Sequence, residues 1–383
     1  MAEKITTLNP QMLQWARLQS GYDITNVEKK LNKQDILKKW ECGEDYPTYA
    51  QLKTLFELYK KPVVICFFPE PPKMKNISTS FRTLPTSIRF SPNTIRLLNT
   101  AKTMQLNLYE LNEDQNPNIS AVNNLKSNFQ QSNPSIYSEI RKLLNVSLEE
   151  QKKGRKISDK FEMWRDAFYH IGIYIFKDAF KDDSISGFCL YDDVFPVIYV
   201  NNSMSFTRQI FTLFHELCHI LYQTSGLDFL KDDFIDIHEN KTNADIEQRC
   251  NSFAGEFLVP TSEFCKHVGN RGYSDAITEK LANLFGVSRE TVLRKYLDLG
   301  KIDNNLYFQK QEEFNEDYFR NREFTKSSGG GNWYNTHLSY IGENYLNLSY
   351  RNYYQHKITI NQLADYLNMK ISAVKKLPRA RDG

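Results

Sequence analysis

The sequence predicts an α+β protein that is mostly helical, with one small sheet near its middle. Three observations carry that expectation. Helical periodicity covers most of the 383 residues. It gives way to β-branched and aromatic runs in "GIYIFKDAF" and "GFCLYDDVFPVIYVNN". Directly after them stands an oily helix, "FTLFHELCHILY", that holds two histidines and a glutamate.

In chain order, residues 8–61 read as short helices: Pro10 starts the first, Gly21 ends it and Pro47 closes the third. "PVVICFFPEPPK" reads as a buried, strand-like connector stopped by prolines. Residues 73–90 read as irregular, 92–113 as helix, 114–134 as a loop rich in Asn, Gln and Ser, and 135–171 as one long helical region. The two strand runs turn at Asp192–Asp193, and the motif helix spans 205–223. An acidic loop, 228–245, precedes a second amphipathic helix, "IEQRCNSFAGEFLVP", and 274–298 are helical again. "SSGGGNW" reads as a hinge before a helical C-terminal unit. The expected domains are therefore 1–72, 73–134, 135–272, 273–326 and 327–383.

The charge balance, 49 Lys+Arg against 46 Asp+Glu, does not mark a nucleic-acid binder, although it leaves a local basic face open. Six cysteines fall singly, with no CxxC pair, as in a reducing compartment. The N-terminus has no apolar signal core, and "PVVICFFP" is far too short to span a bilayer. A cytoplasmic location without membrane contact is the expectation.

Residues four apart on a helix lie one turn above each other, so His215 and His219 can offer two imidazoles to one ion. Glu216 points beside that pair and can reach a metal-bound water; this is the HExxH pattern of zinc peptidases. Zinc lowers the pKa of such a water to about 7, and the glutamate takes its proton. Phe211, Leu213, Phe214, Leu217, Ile220 and Leu221 surround the motif, which argues against a chance match on a surface helix.

A third protein ligand is expected downstream. In the extended pattern HExxHxxGxxH the last histidine falls on Ser225, which excludes that version. Asp236, His238, Glu239, Asp245 and Glu247 remain. Glu247 is chosen because its helix carries an apolar stripe (Ile246, Cys250, Phe253, Ala254, Phe257), while the small Ala254 and Gly255 allow close approach; His238 is the fallback. Asn251, four residues after Glu247, either fixes a ligating histidine or makes an ordinary helix-packing hydrogen bond. A His₂-carboxylate set takes zinc, but manganese or another divalent ion also fits. The strand "FPVIYVNN" is either an exposed edge for extended substrate or a plain core strand.

"FTLFHELCHIL", with "ISGFCLYDDVFPVIYVNN" before it and "IEQRCNSFAGEFLVP" after it, resembles the ImmA/IrrE metallopeptidases. The segment from "WARLQSGYDITNVEKKLNKQDILKKWE" to "PEPP" resembles the phage-repressor (XRE-type) helix-turn-helix often fused to them, and the resemblance continues into the C-terminal region. It implies a zincin-like core, with His215, His219 and Glu247 on the zinc ligands and Glu216 on the catalytic base. It also implies an intracellular endopeptidase whose substrate is a repressor-type transcription factor.

The N-terminal stretch is one residue short of the usual repressor pattern before the tryptophan. Lys33, Gln34, Lys38 and Lys39 are its candidate DNA contacts, diluted by Asp35, Glu41, Glu44 and Asp45; the segment reads equally as a helical docking module that has lost DNA binding. The alternative function is a DNA-binding regulator whose peptidase-like domain senses or binds a partner, within a toxin–antitoxin or phage-defence system. "ITEKLANLFGVSRETVLRKYLDLG" and "ITINQLADYLNMKISAVKKL" also look like helix-turn-helix sequences, read here as structural packing.

Overall fold

A computed structural model describes residues 3–72, 90–130, 135–229, 241–326 and 333–377. The chain divides into two compact units, the first made of residues up to 72 together with 90–100, the second of residues from 101 onward.

The first unit holds α1 (Pro10–Leu18), α2 (Ile24–Leu31), α3 (Ile36–Cys42), α4 (Tyr49–Tyr59) and a 3₁₀ turn at Val63–Phe67. Asn9 and Asp23 cap α1 and α2 by accepting backbone N–H groups, and Thr48 with Gln51 forms a capping box on α4. Leu13, Ala16, Val27, Leu37, Trp40, Leu52, Leu55 and Phe56 build its core. Beside that core Arg17 grips Glu41 with two hydrogen bonds of 2.7 and 2.9 Å.

The strand-like reading of "PVVICFFPEPPK" is corrected. The run coils into the 3₁₀ turn and buries Cys66, while Val64, Phe67 and Phe68 stay exposed. Among the described residues no neighbouring strand pairs with it. Instead Asn9 satisfies the carbonyls of Cys66, Phe68 and Pro69.

The division between units falls within α5 (Pro92–Leu111). The second unit continues with α6 (Ser120–Gln130), α7 (Ile136–Leu144), α8 (Leu148–Lys152) and α9 (Ile157–His170). Two expectations change here. The supposed loop 114–134 contains α6, whose apolar residues Val122 and Phe129 are buried among polar neighbours. The supposed single helical region 135–171 is three helices, broken first at Asn145, which takes a left-handed conformation (φ 52°).

Strands β1 (Tyr174–Asp178), β2 (Ile185–Leu190), β3 (Val197–Asn201) and β4 (Leu227–Phe229) form a sheet in the order β1-β3-β2-β4. β1 runs parallel to β3, and the other neighbours are antiparallel. Ile175, Cys189, Ile198 and Val200 belong to the main core with the motif helix. On alternate positions, Phe188 stacks on Tyr199 at 5.2 Å, and Phe176 meets Tyr345 edge-on. Both faces are thus covered. Because β3 is paired on both sides and buried along its length, it cannot receive an extended substrate, and the core-strand reading holds.

Next come the motif helix α10 (Phe206–Leu221), α11 (Lys241–Leu258), α12 (Thr261–Val268), α13 (Asp275–Phe285), α14 (Arg289–Asp298) and α15 (Asn304–Lys326). The last four helices are α16 (Trp333–Ile341), α17 (Glu343–Tyr354), α18 (Ile360–Tyr366) and α19 (Ile371–Val374). Helices α9, α10 and α11 meet through Trp164, Phe214 and Phe257, the last two stacked at 4.4 Å. No helix among the described residues is long and apolar enough to cross a membrane.

Candidate metal centre

Helix α10 starts behind Ser205, whose hydroxyl accepts the Arg208 N–H. Every residue from Thr212 to Leu221 is buried, so the histidine pair and Glu216 sit in the core rather than on a surface. The sheet covers one side of α10, and α9 and α11 cover the others. Ala254 is fully buried at the α10–α11 approach, whereas Gly255 has open space around it and plays no part in the closeness expected of it.

Helix α11 brings Glu247 onto both imidazoles. His215 Nε2 lies 3.1 Å from Glu247 Oε2, and His219 Nε2 lies 3.3 Å from Oε1. The two Nε2 atoms are 3.2 Å apart. Ligands at about 2.0–2.1 Å from a tetrahedral zinc stand about 3.3 Å from one another. The three donors already have that spacing.

The hydrogen-bond network assigns the tautomers. His215 Nδ1–H donates to Asn251 Oδ1 at 2.9 Å. Thr224 Oγ1 donates its only proton to the His219 carbonyl at 3.2 Å, so it accepts from His219 Nδ1–H, also 3.2 Å away. Both Nε2 atoms therefore present lone pairs to each other and to a carboxylate. Among the described residues, Glu247 Oε1 is buried without a hydrogen-bond donor. Converging lone pairs in a buried site repel unless a cation lies among them.

When a proton takes the place of a cation among these groups, the titration shows the same demand for positive charge. Burial would raise the Glu247 carboxyl, but the His215 and His219 imidazoles outweigh it and hold it well below the usual range. Burial would lower His219, but the Cys250 sulfur and the Glu247 carboxylate outweigh it and pull the imidazole up to about 10. The site favours one added positive charge, which a divalent ion supplies in place of a proton.

Glu216 is fully buried beside the Cys189 thiol, which burial and then this carboxylate push well above its ordinary value. Asp245 is exposed, and Asp236, His238 and Glu239 lie outside the described residues. His170 and His356 are exposed, His267 is half-buried, and His337 donates to the Leu367 carbonyl at 2.7 Å; none joins the centre. In the first unit, Lys33 and Gln34 are exposed in the turn between α2 and α3, and Lys38 and Lys39 are exposed on α3.

Two residues at the centre were not anticipated. Thr224 hydrogen-bonds the second imidazole, and Gly226 lies flat against it. A Cβ at position 226 would fall 2.4 Å from His219 Cδ2 and 2.7 Å from Nε2. The sequence signal was slight: a glycine soon after the motif helix, where the chain must turn back.

A buried helix with HExxH spacing, faced by a carboxylate from the next helix and backed by a small mixed sheet, defines a metallopeptidase-type domain able to hold a divalent ion. A family model described as Peptidase_M78, IrrE N-terminal-like domain, matches residues 169–296, a third of the chain and the part that carries the centre. No curated protein matches the chain.

Proposed function

We propose that the protein is a zinc-dependent endopeptidase whose centre is His215, His219 and Glu247 with Glu216 as general base. The spacing of the three donor atoms, 3.1–3.3 Å with both Nε2 lone pairs turned inward, is the observation that carries this reading. His215, His219 and Glu247 would hold the ion, which would supply Lewis-acid activation of water and of the scissile carbonyl. Glu216, one residue from the first ligand, accepts the proton of the attacking water and returns it to the leaving amide nitrogen. Asn251 holds His215 in the tautomer that leaves Nε2 free.

The resemblance to ImmA/IrrE proteins supports a narrow substrate range, with a repressor-type transcription factor as the protein cut. Replacing Glu216 by Gln keeps the shape and the ligands while removing the base. Comparison of the proteomes of cells carrying the parent or Glu216→Gln should reveal one or a few proteins cleaved only by the parent. Identical proteomes would refute the peptidase reading.

A second reading, that the first unit binds duplex DNA, is favoured by how its charges are arranged. Glu41 is taken up by Arg17 and Asp45 by Lys4, while Asp35 and Glu44 stay exposed. Lys29, Lys33, Lys38 and Lys39 are left exposed on one short stretch. Each lysine that meets a phosphate adds about one to the salt dependence of binding. A Lys33→Glu, Lys38→Glu, Lys39→Glu chain should lose about three from that slope, and an unchanged slope would refute the DNA role.

A further inference from the structure

We infer that Thr224 is a positioning residue of the metal centre, the counterpart on His219 of what Asn251 does for His215. The inference rests on the metallopeptidase reading above. After α10 ends at Leu221, Gln223 takes a left-handed conformation (φ 58°) and turns the chain back over the helix end. Thr224 then lands on the His219 ring. Its backbone N–H bonds the His219 carbonyl at 2.9 Å, and its hydroxyl bonds the same carbonyl and faces Nδ1, each at 3.2 Å.

The backbone N–H already caps the helix end, and the hydroxyl adds a second bond to the same carbonyl. The hydroxyl has a separate consequence. With its proton toward the carbonyl, the hydroxyl turns a lone pair to Nδ1, which favours the proton on Nδ1 and turns the Nε2 lone pair inward. The opposite tautomer would put a proton on Nε2, 3.2 Å from His215 Nε2, where the ion belongs.

The threonine is held in place from the far side as well. Ser225 Oγ accepts the Tyr191 N–H at 3.0 Å, and Gly226 exchanges hydrogen bonds with Cys189 on β2. The Cys189 thiol itself faces the Thr224 carbonyl at 3.7 Å. The short link from α10 to β4 thus anchors the hydroxyl to both the helix end and the sheet.

Zinc affinity, read by competition with a chromophoric chelator, separates this role from capping. Thr224→Val keeps the shape and the backbone bond but removes the hydroxyl. It should weaken zinc about 10- to 100-fold and alter the visible spectrum of the cobalt-substituted protein. Thr224→Ser should recover affinity to within about threefold of the parent. A folded Thr224→Val chain with parental affinity and spectrum overturns the inference. Nitrogen NMR of the zinc-loaded parent gives an independent check should the valine variant fail to fold: His219 should carry its proton on Nδ1 and bind the ion through Nε2, and a proton on Nε2 with the ion on Nδ1 overturns the assignment. A parent that binds no divalent ion overturns the metallopeptidase reading instead.

Discussion

Replacing Gly226 by alanine inserts a single methyl group against a metal-ligating ring. Its carbon would stand 2.4 Å from His219 Cδ2 and 2.5 Å from Cγ. Carbon atoms rest at about 3.5–4.0 Å, so ring and strand must separate by roughly 1 Å. The backbone at this glycine is not left-handed, so the effect is steric alone. Overpacking of this kind costs about 1–3 kcal/mol. If the ring yields, Nε2 leaves the 3.1–3.3 Å triangle that fits the ion. Zinc affinity should then fall about 10- to 100-fold, and turnover about 100-fold, as expected for a misplacement of 1 Å. Chelator competition and a thermal melt on the same sample separate the two costs. A folded Gly226→Ala chain that melts lower but binds zinc like the parent would show that β4 moves instead, and would refute the idea that this strand sets the ring.

Two further predictions concern buried charge in the second unit. Arg165 is buried and donates to the carbonyls of Ile175, Ser339 and Tyr340 at 2.8–3.0 Å, and Gly342 leaves room for its guanidinium. Arg165→Met strands those three acceptors and should cost on the order of 3–5 kcal/mol, read from the urea midpoint; a loss under about 1 kcal/mol would contradict the role. Lys177 lies 3.8 Å from the centre of the Phe161 ring, and burial, opposed by Glu162, pushes its pKa down to about 8. Its folded pKa lies below its unfolded value of 10.5, so the unfolded chain binds the extra proton between about pH 8 and 10.5. The parent should gain stability relative to Lys177→Met as pH rises through that window, by at most about 3 kcal/mol. Parallel stability curves for the two chains would refute this.

What the sequence could disclose follows from the range of the interactions involved. The His215–His219 pair is set by helical spacing alone, and the apolar stripe of α11 was enough to favour Glu247 over its neighbours. Strand order is a tertiary property, so nothing in "FPVIYVNN" could tell a central strand from an edge. Helix α6 was hidden because its buried residues are few and its exposed ones are those of loops. Thr224 and Gly226 depend on a left-handed Gln223 and on β4 pairing back onto β2, neither of which has a local signature. The N-terminal prolines marked the boundaries of "PVVICFF" but did not reveal that its carbonyls would be met by Asn9 rather than by a strand.

Metal content of the chain purified and then exposed to excess zinc, measured beside Glu247→Gln and His219→Ala after removal of loose ion, tests the centre most directly. One equivalent per parent chain, and far less than one in each folded variant, is the expected result. A parent chain without bound ion, or variants that retain a full equivalent, would contradict a centre built from His215, His219 and Glu247.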